Sequence, residues 1–186
     1  GHGKLLSATQ VEIAMADGAK KTVTAGKIIL ATGSEVGDLP GITRDGKMIV
    51  GSTEALTFTE VPEKLIVIGA GAIGLEMGSV WSRLGSEVTV VEFQDRLAPV
   101  CDKQMSAELL KVLTKQGFKF RLSTKVLSAK VSGGKVKVEV EDLATKKTET
   151  LEADRVLMSV GRRPESTGLG LDTVGIKKDK VGRVEV

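Results

Sequence analysis

The sequence predicts an α/β protein, a parallel sheet at its centre with an antiparallel meander as one crossover, on three observations. A glycine-rich turn separates an apolar strand from an amphipathic helix. A second helix–strand pair follows it. A run of alternating residues then leads into a last apolar strand. In chain order, residues 1–34 read as β structure: "TQVEIAM" alternates, "ADGAKK" turns, and "TVTAGKIILATGS" runs into an apolar strand at Ile28 to Ala31. Residues 35–63 form a connector with Pro40, Gly41, Gly46, Gly51 and Pro62, in which "STEALTF" suits a short helix. Strand Leu65–Ile68 then leads through the glycine turn to a helix over Ala72–Leu84, with Gly85 as its C-terminal cap. Strand Glu87–Val91 follows, then a helix over Lys103–Gln116 that places Met105, Leu109, Val112 and Leu113 on one face and ends at Gly117. After a short strand, Lys119–Leu122, the stretches "VLSAKVS", "KVKVEVE" and "TETLE" alternate around the turn Gly133-Gly134, and strand Arg155–Val160 closes the pattern.

Composition bounds what this architecture does. Of 186 residues, 41% are apolar, enough to build a core, and 27% are charged. Aromatics make up 3%, with no Tyr, which argues against a stacking platform for single-stranded nucleic acid. The 27 basic and 24 acidic residues are interspersed, so the net charge of +3 forms no nucleic-acid footprint. One cysteine, Cys101, excludes an internal disulfide and a thiolate metal site, and one histidine, His2, leaves no Ser–His–Asp set. Neither catalytic nor metal-binding residues are therefore expected. No apolar run reaches the roughly 20 residues that span a bilayer, and no signal or transit peptide opens the sequence. The sequence begins at "GHGKLL" and stops at "GRVEV" with no capping or tail signal, and so reads as a piece of a longer chain.

The chemistry is concentrated in "KLIVIGAGAIGLEMGSVWSRLGSEVTVVEF", Lys64 to Phe93. Gly69, Gly71 and Gly74 match G-x-G-x-x-G, a weak pattern alone, but here it follows a buried-type strand and opens a helix within one βαβ unit. That context marks a Rossmann-like dinucleotide site. Gly69 permits the tight turn, Gly71 lets a pyrophosphate approach the backbone, and Gly74 lets helix and strand pack closely. The first-turn N–H groups, from Ala72 to Leu75, are expected to aim free hydrogens and the helix dipole at phosphate charge. Glu92 lies 23 residues after Gly69, placed to accept both adenosine ribose hydroxyls and to repel a 2′-phosphate, so the expected cofactor is NAD, not NADP. Arg96 reads as a solvated loop charge. Glu76 stands either near the nicotinamide end of a bound dinucleotide or as an exposed helix glutamate. Met77, Val80, Trp81 and Leu84 follow core spacing, and Cys101 reads as a small, partly buried hydrophobe without a resolving partner.

The stretch from "VPEKL" to "VVEF", with "KQGFKFRLSTKV", "ATGSE" and "SVGRRP", closely resembles the dihydrolipoamide dehydrogenases of the pyridine-nucleotide disulfide oxidoreductases, over nearly the whole chain. The run from "GSVW" to "VVEF" is most similar to mitochondrial members, which implies the mitochondrial matrix, or the cytoplasm for a bacterial source. The resemblance implies a homodimeric flavoprotein. Its partners are the dihydrolipoyl domains of 2-oxo-acid dehydrogenase complexes, and its electrons pass through a redox disulfide and FAD to NAD. NAD contacts then fall on Gly69, Ala70, Gly71, Ala72, Ile73, Gly74, Leu75, Glu76, Glu92, Val126 and Gly161. FAD contacts of the full-length enzyme fall on Gly3, Thr32, Gly33 and Ser34. Residues 1–38 and 164–186 correspond to parts of a flavin domain, and 39–163 to an inserted NAD-binding domain with its lead-in connector. The glycines of "GRRPESTGLG" then belong to a return crossover, not to a second phosphate loop. The family's flavin glycine fingerprint, its cysteine pair and its C-terminal interface domain have no counterpart in these residues, so no turnover is expected of them alone. Two other readings are a stand-alone NAD-dependent dehydrogenase, which lacks hydride-transfer apparatus here, and an interaction module of a multienzyme complex, which lacks an exposed apolar stripe.

Overall fold

The computed structural model describes all 186 residues, which divide into two units: residues 36–161, and residues 1–35 together with 162–186. In chain order the elements are β1 (His2–Ser7), β2 (Gln10–Ala14), β3 (Lys20–Thr24), β4 (Ser34–Val36), β5 (Ile49–Val50), α1 (Ser52–Ala55), β6 (Lys64–Ile68), α2 (Ala72–Leu84) and β7 (Glu87–Val91). They continue with α3 (Lys103–Lys115), β8 (Lys119–Arg121), β9 (Thr124–Ser132), β10 (Lys135–Asp142), β11 (Thr148–Ala153), β12 (Arg155–Met158), β13 (Arg162–Pro164) and a 3₁₀ turn, Leu171–Val174.

The larger unit has three layers, and the side-chain period of two decides which residue faces which. Its central sheet is parallel, in the order β5-β12-β6-β7-β8. Leu65 and Val67 of β6, Val88 and Val90 of β7 and Leu157 of β12 pack toward the helices, with Leu75, Met77, Trp81, Leu113 and Phe118. Their strand neighbours Ile66, Ile68, Val91, Val156 and Met158 pack the other way, onto Ala129, Val136, Val138, Val140 and Ala153 of the meander. A strand buried on both faces reads as a continuous apolar run, which is why "LIVI" does not alternate. The meander, ordered β11-β10-β9, alternates because only one face is covered: Val136, Val138 and Val140 are buried while Lys137 and Glu139 are exposed. Its first hairpin turns at Gly133 and Gly134, both with positive φ (61° and 76°), the requirement of a two-residue type I′ turn. The meander is thus both the crossover into β12 and the second cover of the sheet.

Helix α2 ends where Gly85 takes φ 114°, a left-handed cap whose N–H donates to the Ser82 carbonyl. Helix α3 starts at Asp102, whose carboxylate accepts the Gln104 N–H at 2.8 Å. Its buried face differs from the sequence expectation. Ser106 and Leu113 are buried and Leu109 and Leu110 pack against the helix-side core, while Met105 and Val112 are exposed. The same correction applies to α2, where Met77 and Trp81 are core but Val80 and Leu84 are exposed.

The smaller unit holds the antiparallel sheet β1-β2-β3, with Leu5, Leu169 and Leu171 as its buried centre and the Leu5 N–H donating to the Leu169 carbonyl at 2.8 Å. One expected strand is absent there. Ile28 to Ala31 belongs to no strand, and Ile29 is 90% exposed. Val184 to Val186 makes only one bridge, from Val184 to Lys178. No helix is long and apolar enough to cross a membrane, and no cluster of His, Cys, Asp or Glu is placed to hold a metal.

Candidate dinucleotide site

The site forms at the carboxyl ends of β6, β7 and β12, where a cleft of about 860 Å³ opens beside the glycine loop. Its floor comes from Gly69, Gly71, Ala72 and Ile73, one flank from Val91 and Glu92 with Val126 and Leu127, and the other from Ser159, Val160 and Gly161 with Leu39 and Pro40. The lining is mostly apolar, with few polar groups aimed into it, as small-molecule sites are.

The three glycines serve different ends. Gly69 has φ 102°, and a Cβ there would lie 2.5 Å from the Ser159 carbonyl oxygen. A Cβ on Gly74 would meet the Gly69 carbonyl oxygen at 2.3 Å and the Ser159 Oγ at 2.5 Å. Gly71 is the opposite case: its φ of −76° suits any residue, and a Cβ would touch nothing within 4 Å. It lines the cleft, so no protein atom accounts for the absence of a side chain there.

Helix α2 makes its first hydrogen bond from the Leu75 N–H to the Gly71 carbonyl, at 3.1 Å. Leu75 is therefore removed from the expected set of free donors. The N–H groups of Ala72, Ile73 and Gly74 precede it and find no intrahelical acceptor, and those of Ala72 and Ile73, with the helix dipole, face the cleft. Ala70, Gly74 and Leu75 are buried behind this edge and do not line the cleft, and Glu76 is exposed on the helix outside it.

Glu92 is nearly buried at the end of β7, with 9% of its surface exposed. Its Oε2 accepts the Ala70 N–H at 2.7 Å and its Oε1 accepts the Gln94 N–H at 2.8 Å. Charge-assisted bonds of this length hold the carboxylate against the glycine loop, and each oxygen keeps a second lone pair for a further donor. The loop after β7 is tied to the same place, since the Ala98 N–H donates to the Ala70 carbonyl at 2.9 Å. Arg96 lies in that loop, half-buried, with an Nη2 that donates to the Pro99 carbonyl at 3.0 Å and a buried Nε that has no acceptor. It is a brace for the loop, not the solvated charge expected. Cys101, expected to be partly buried, is exposed.

Val126 and Gly161 both line the cleft, brought there by β9 and by the end of β12. Sequence reasoning missed two features beside them. Pairing steps from Ser128↔Glu139 to Val126↔Val140, which leaves Leu127 as an extra residue in a β-bulge at the cleft wall. Ser159 places its hydroxyl 2.9 Å from the Ile68 carbonyl and 3.1 Å from that of Gly69, and so fastens β12 to the glycine loop. In the smaller unit, Gly3 lies in β1 opposite Ile13. The Thr32 hydroxyl donates to the Glu165 carbonyl at 2.6 Å, the Gly33 carbonyl accepts the Glu165 N–H at 3.0 Å, and Ser34 is held by the Arg162 guanidinium.

Relatives have this arrangement's sequence over its full length. A mitochondrial dihydrolipoyl dehydrogenase of Dictyostelium discoideum is 55% identical across 100% of this chain and 38% of its own length. A leghemoglobin reductase of Glycine max is 50% identical across 100% of this chain and 36% of its own. The chain thus spans under two fifths of the curated relatives it matches. Among solved structures, LpdA from Mycobacterium tuberculosis superposes with a TM-score of 0.86 at 29% identity, over 97% of this chain and 40% of that one. All residues from 1 to 186 match the pyridine nucleotide-disulphide oxidoreductase profile, so the chain belongs to that family.

Proposed function

We propose that residues 39–163 are the NAD(H)-binding domain of a dihydrolipoamide dehydrogenase and that 1–38 and 164–186 are segments of its flavin domain. The observation that carries this reading is the cleft beside Gly71, with free N–H groups at the start of α2 and the Glu92 carboxylate at the end of β7. The residues fit the cofactor: Ala72 and Ile73 offer donors to a pyrophosphate, Glu92 keeps lone pairs for ribose hydroxyls, and its charge disfavours a 2′-phosphate. When bound, NAD supplies a hydride acceptor at its nicotinamide. Val126 and Gly161 line opposite flanks of the cleft, while Ala70, Leu75 and Glu76 lie outside its lining.

In the full-length protein, Gly3, Thr32, Gly33 and Ser34 would contact FAD. That protein would oxidise dihydrolipoyl groups of 2-oxo-acid dehydrogenase complexes as a homodimer in the mitochondrial matrix, in keeping with the names of relatives such as that of Dictyostelium discoideum. Calorimetric titration of the purified chain tests the cofactor assignment. Saturable NADH binding with weaker NADPH binding is expected; no binding, or equal affinities, would overturn it.

A further inference from the structure

We infer that Phe93 is the residue on which the adenine base of the dinucleotide stacks, a role that rests on the cofactor reading above. The chain has four Phe and one Trp, and four of these five rings pack in pairs: Phe58 with Trp81 at 5.2 Å and Phe118 with Phe120 at 5.8 Å between centroids. Phe93 makes no ring contact, is 61% exposed and lines the cleft. A large apolar side chain at the mouth of a cleft keeps its face in water until a ligand covers it.

The sheet order says which part of the ligand that is. Strand β6 lies between β7 and β12, and the glycine loop at its end would take the pyrophosphate. The two halves of a dinucleotide therefore extend in opposite directions, one over the end of β7 and one over the end of β12. The Glu92 carboxylate fixes the adenosine ribose on the β7 side. The base is bonded to that ribose at C1′ and continues away from the phosphates, over the residues that follow Glu92. Phe93 is the first of them. The segment is held in place, because the Ser123 N–H donates to the Gln94 carbonyl at 2.8 Å and the Thr124 N–H to the Glu92 carbonyl at 2.9 Å. Those bonds bring Lys125, Val126 and Leu127 to the same cleft as the ring. The β12 flank offers Leu39, Pro40, Ser159, Val160 and Gly161, with no aromatic ring.

Calorimetry with NADH and with ADP-ribose, which lacks the nicotinamide, on the 186-residue chain and on Phe93→Ala and Phe93→Trp, tests this. Base–aromatic stacking predicts that Phe93→Ala raises both dissociation constants by about 5- to 100-fold, to similar extents, and that Phe93→Trp restores both. Unchanged NADH affinity in Phe93→Ala would overturn the assignment alone, with the cofactor reading intact. Loss confined to NADH would place the ring at the nicotinamide and overturn it too. Failure of the unsubstituted chain to bind either ligand would overturn both readings together.

Discussion

Two glycines three residues apart should respond to substitution in opposite ways. Gly71→Val adds a side chain where nothing lies within 4 Å, on a backbone with φ −76° that valine adopts without strain. The fold loses only the difference between glycine and valine as a helix N-cap, about 1 kcal/mol or less, which lowers Tm by about 2–4 °C in a chain of this size. The same side chain fills the space a pyrophosphate would need. Losing two charge-assisted contacts to the helix end, at about 1.5–3 kcal/mol each, weakens NADH by more than about 100-fold. Gly74→Ala does the reverse. Its Cβ would sit 2.3 Å from the Gly69 carbonyl oxygen, a backbone atom that cannot swing away. Overpacking of that kind costs about 1–3 kcal/mol or more, so Tm should fall by up to about 12 °C before any ligand is added. Thermal melts of both ligand-free variants, with NADH titrations of each, separate the two effects. NADH affinity unchanged by Gly71→Val, or a Gly71→Val melt as low as that of Gly74→Ala, would refute the assignment of roles.

Glu92→Ala should weaken NADH by about 10- to 150-fold and narrow the gap to NADPH, read by calorimetry. It should also destabilise the ligand-free chain by about 1–3 kcal/mol in denaturant titrations, because the buried Ala70 N–H loses its acceptor while the Gln94 N–H, on an exposed residue, turns to water. Asp154→Ala tests the seam between sheet and meander, where the carboxylate accepts the Lys135 ammonium at 2.6 Å and the Lys64 N–H at 2.8 Å. The Lys135 ammonium, and then the Lys64 N–H, hold this carboxyl below the usual carboxylate range. Its contribution is therefore full above about pH 3.9 and is lost as pH falls through the lower folded value. The stability gap between Asp154→Ala and the unsubstituted chain should be present at neutral pH and close on acidification below about pH 4.

Much of the larger unit was legible because its signals are local. The limits of α2 follow from Gly71 and Gly85, and the turn at Gly133-Gly134 fixes the hairpin without reference to the rest of the chain. What failed was whatever depends on a neighbour. Both apolar stripes of α3 satisfy the helical period, and only packing against Ala98 and the sheet selects the one with Ser106 over the one with Met105. Ile28 to Ala31 has strand composition, but backbone pairing, not composition, makes a strand, and these residues have no partner. At the cleft, the motif pointed to Gly71 and Glu92, which both line it. The bulge at Leu127 depends on its pairing with β10, and the hydroxyl of Ser159 on carbonyls 90 and 91 residues distant in sequence; neither carries a mark of its own.

The geometry around the loop explains why it holds three glycines when one would leave the cleft open. Only Gly71 faces open space; Gly69 and Gly74 are pressed against the end of β12, each with a prospective Cβ 2.5 Å from an oxygen of Ser159. Closing that approach lets the Ser159 hydroxyl reach the Ile68 and Gly69 carbonyls. On the other side, Glu92 takes the Ala70 N–H and Ala98 donates to the Ala70 carbonyl. The four-atom peptide links between Ile68 and Gly71 are thus bonded from both flanks before any ligand arrives. A loop fixed in this way loses little entropy on binding, so more of the interaction free energy appears as affinity. Two glycines make the loop rigid, and the third leaves the opening that rigidity serves.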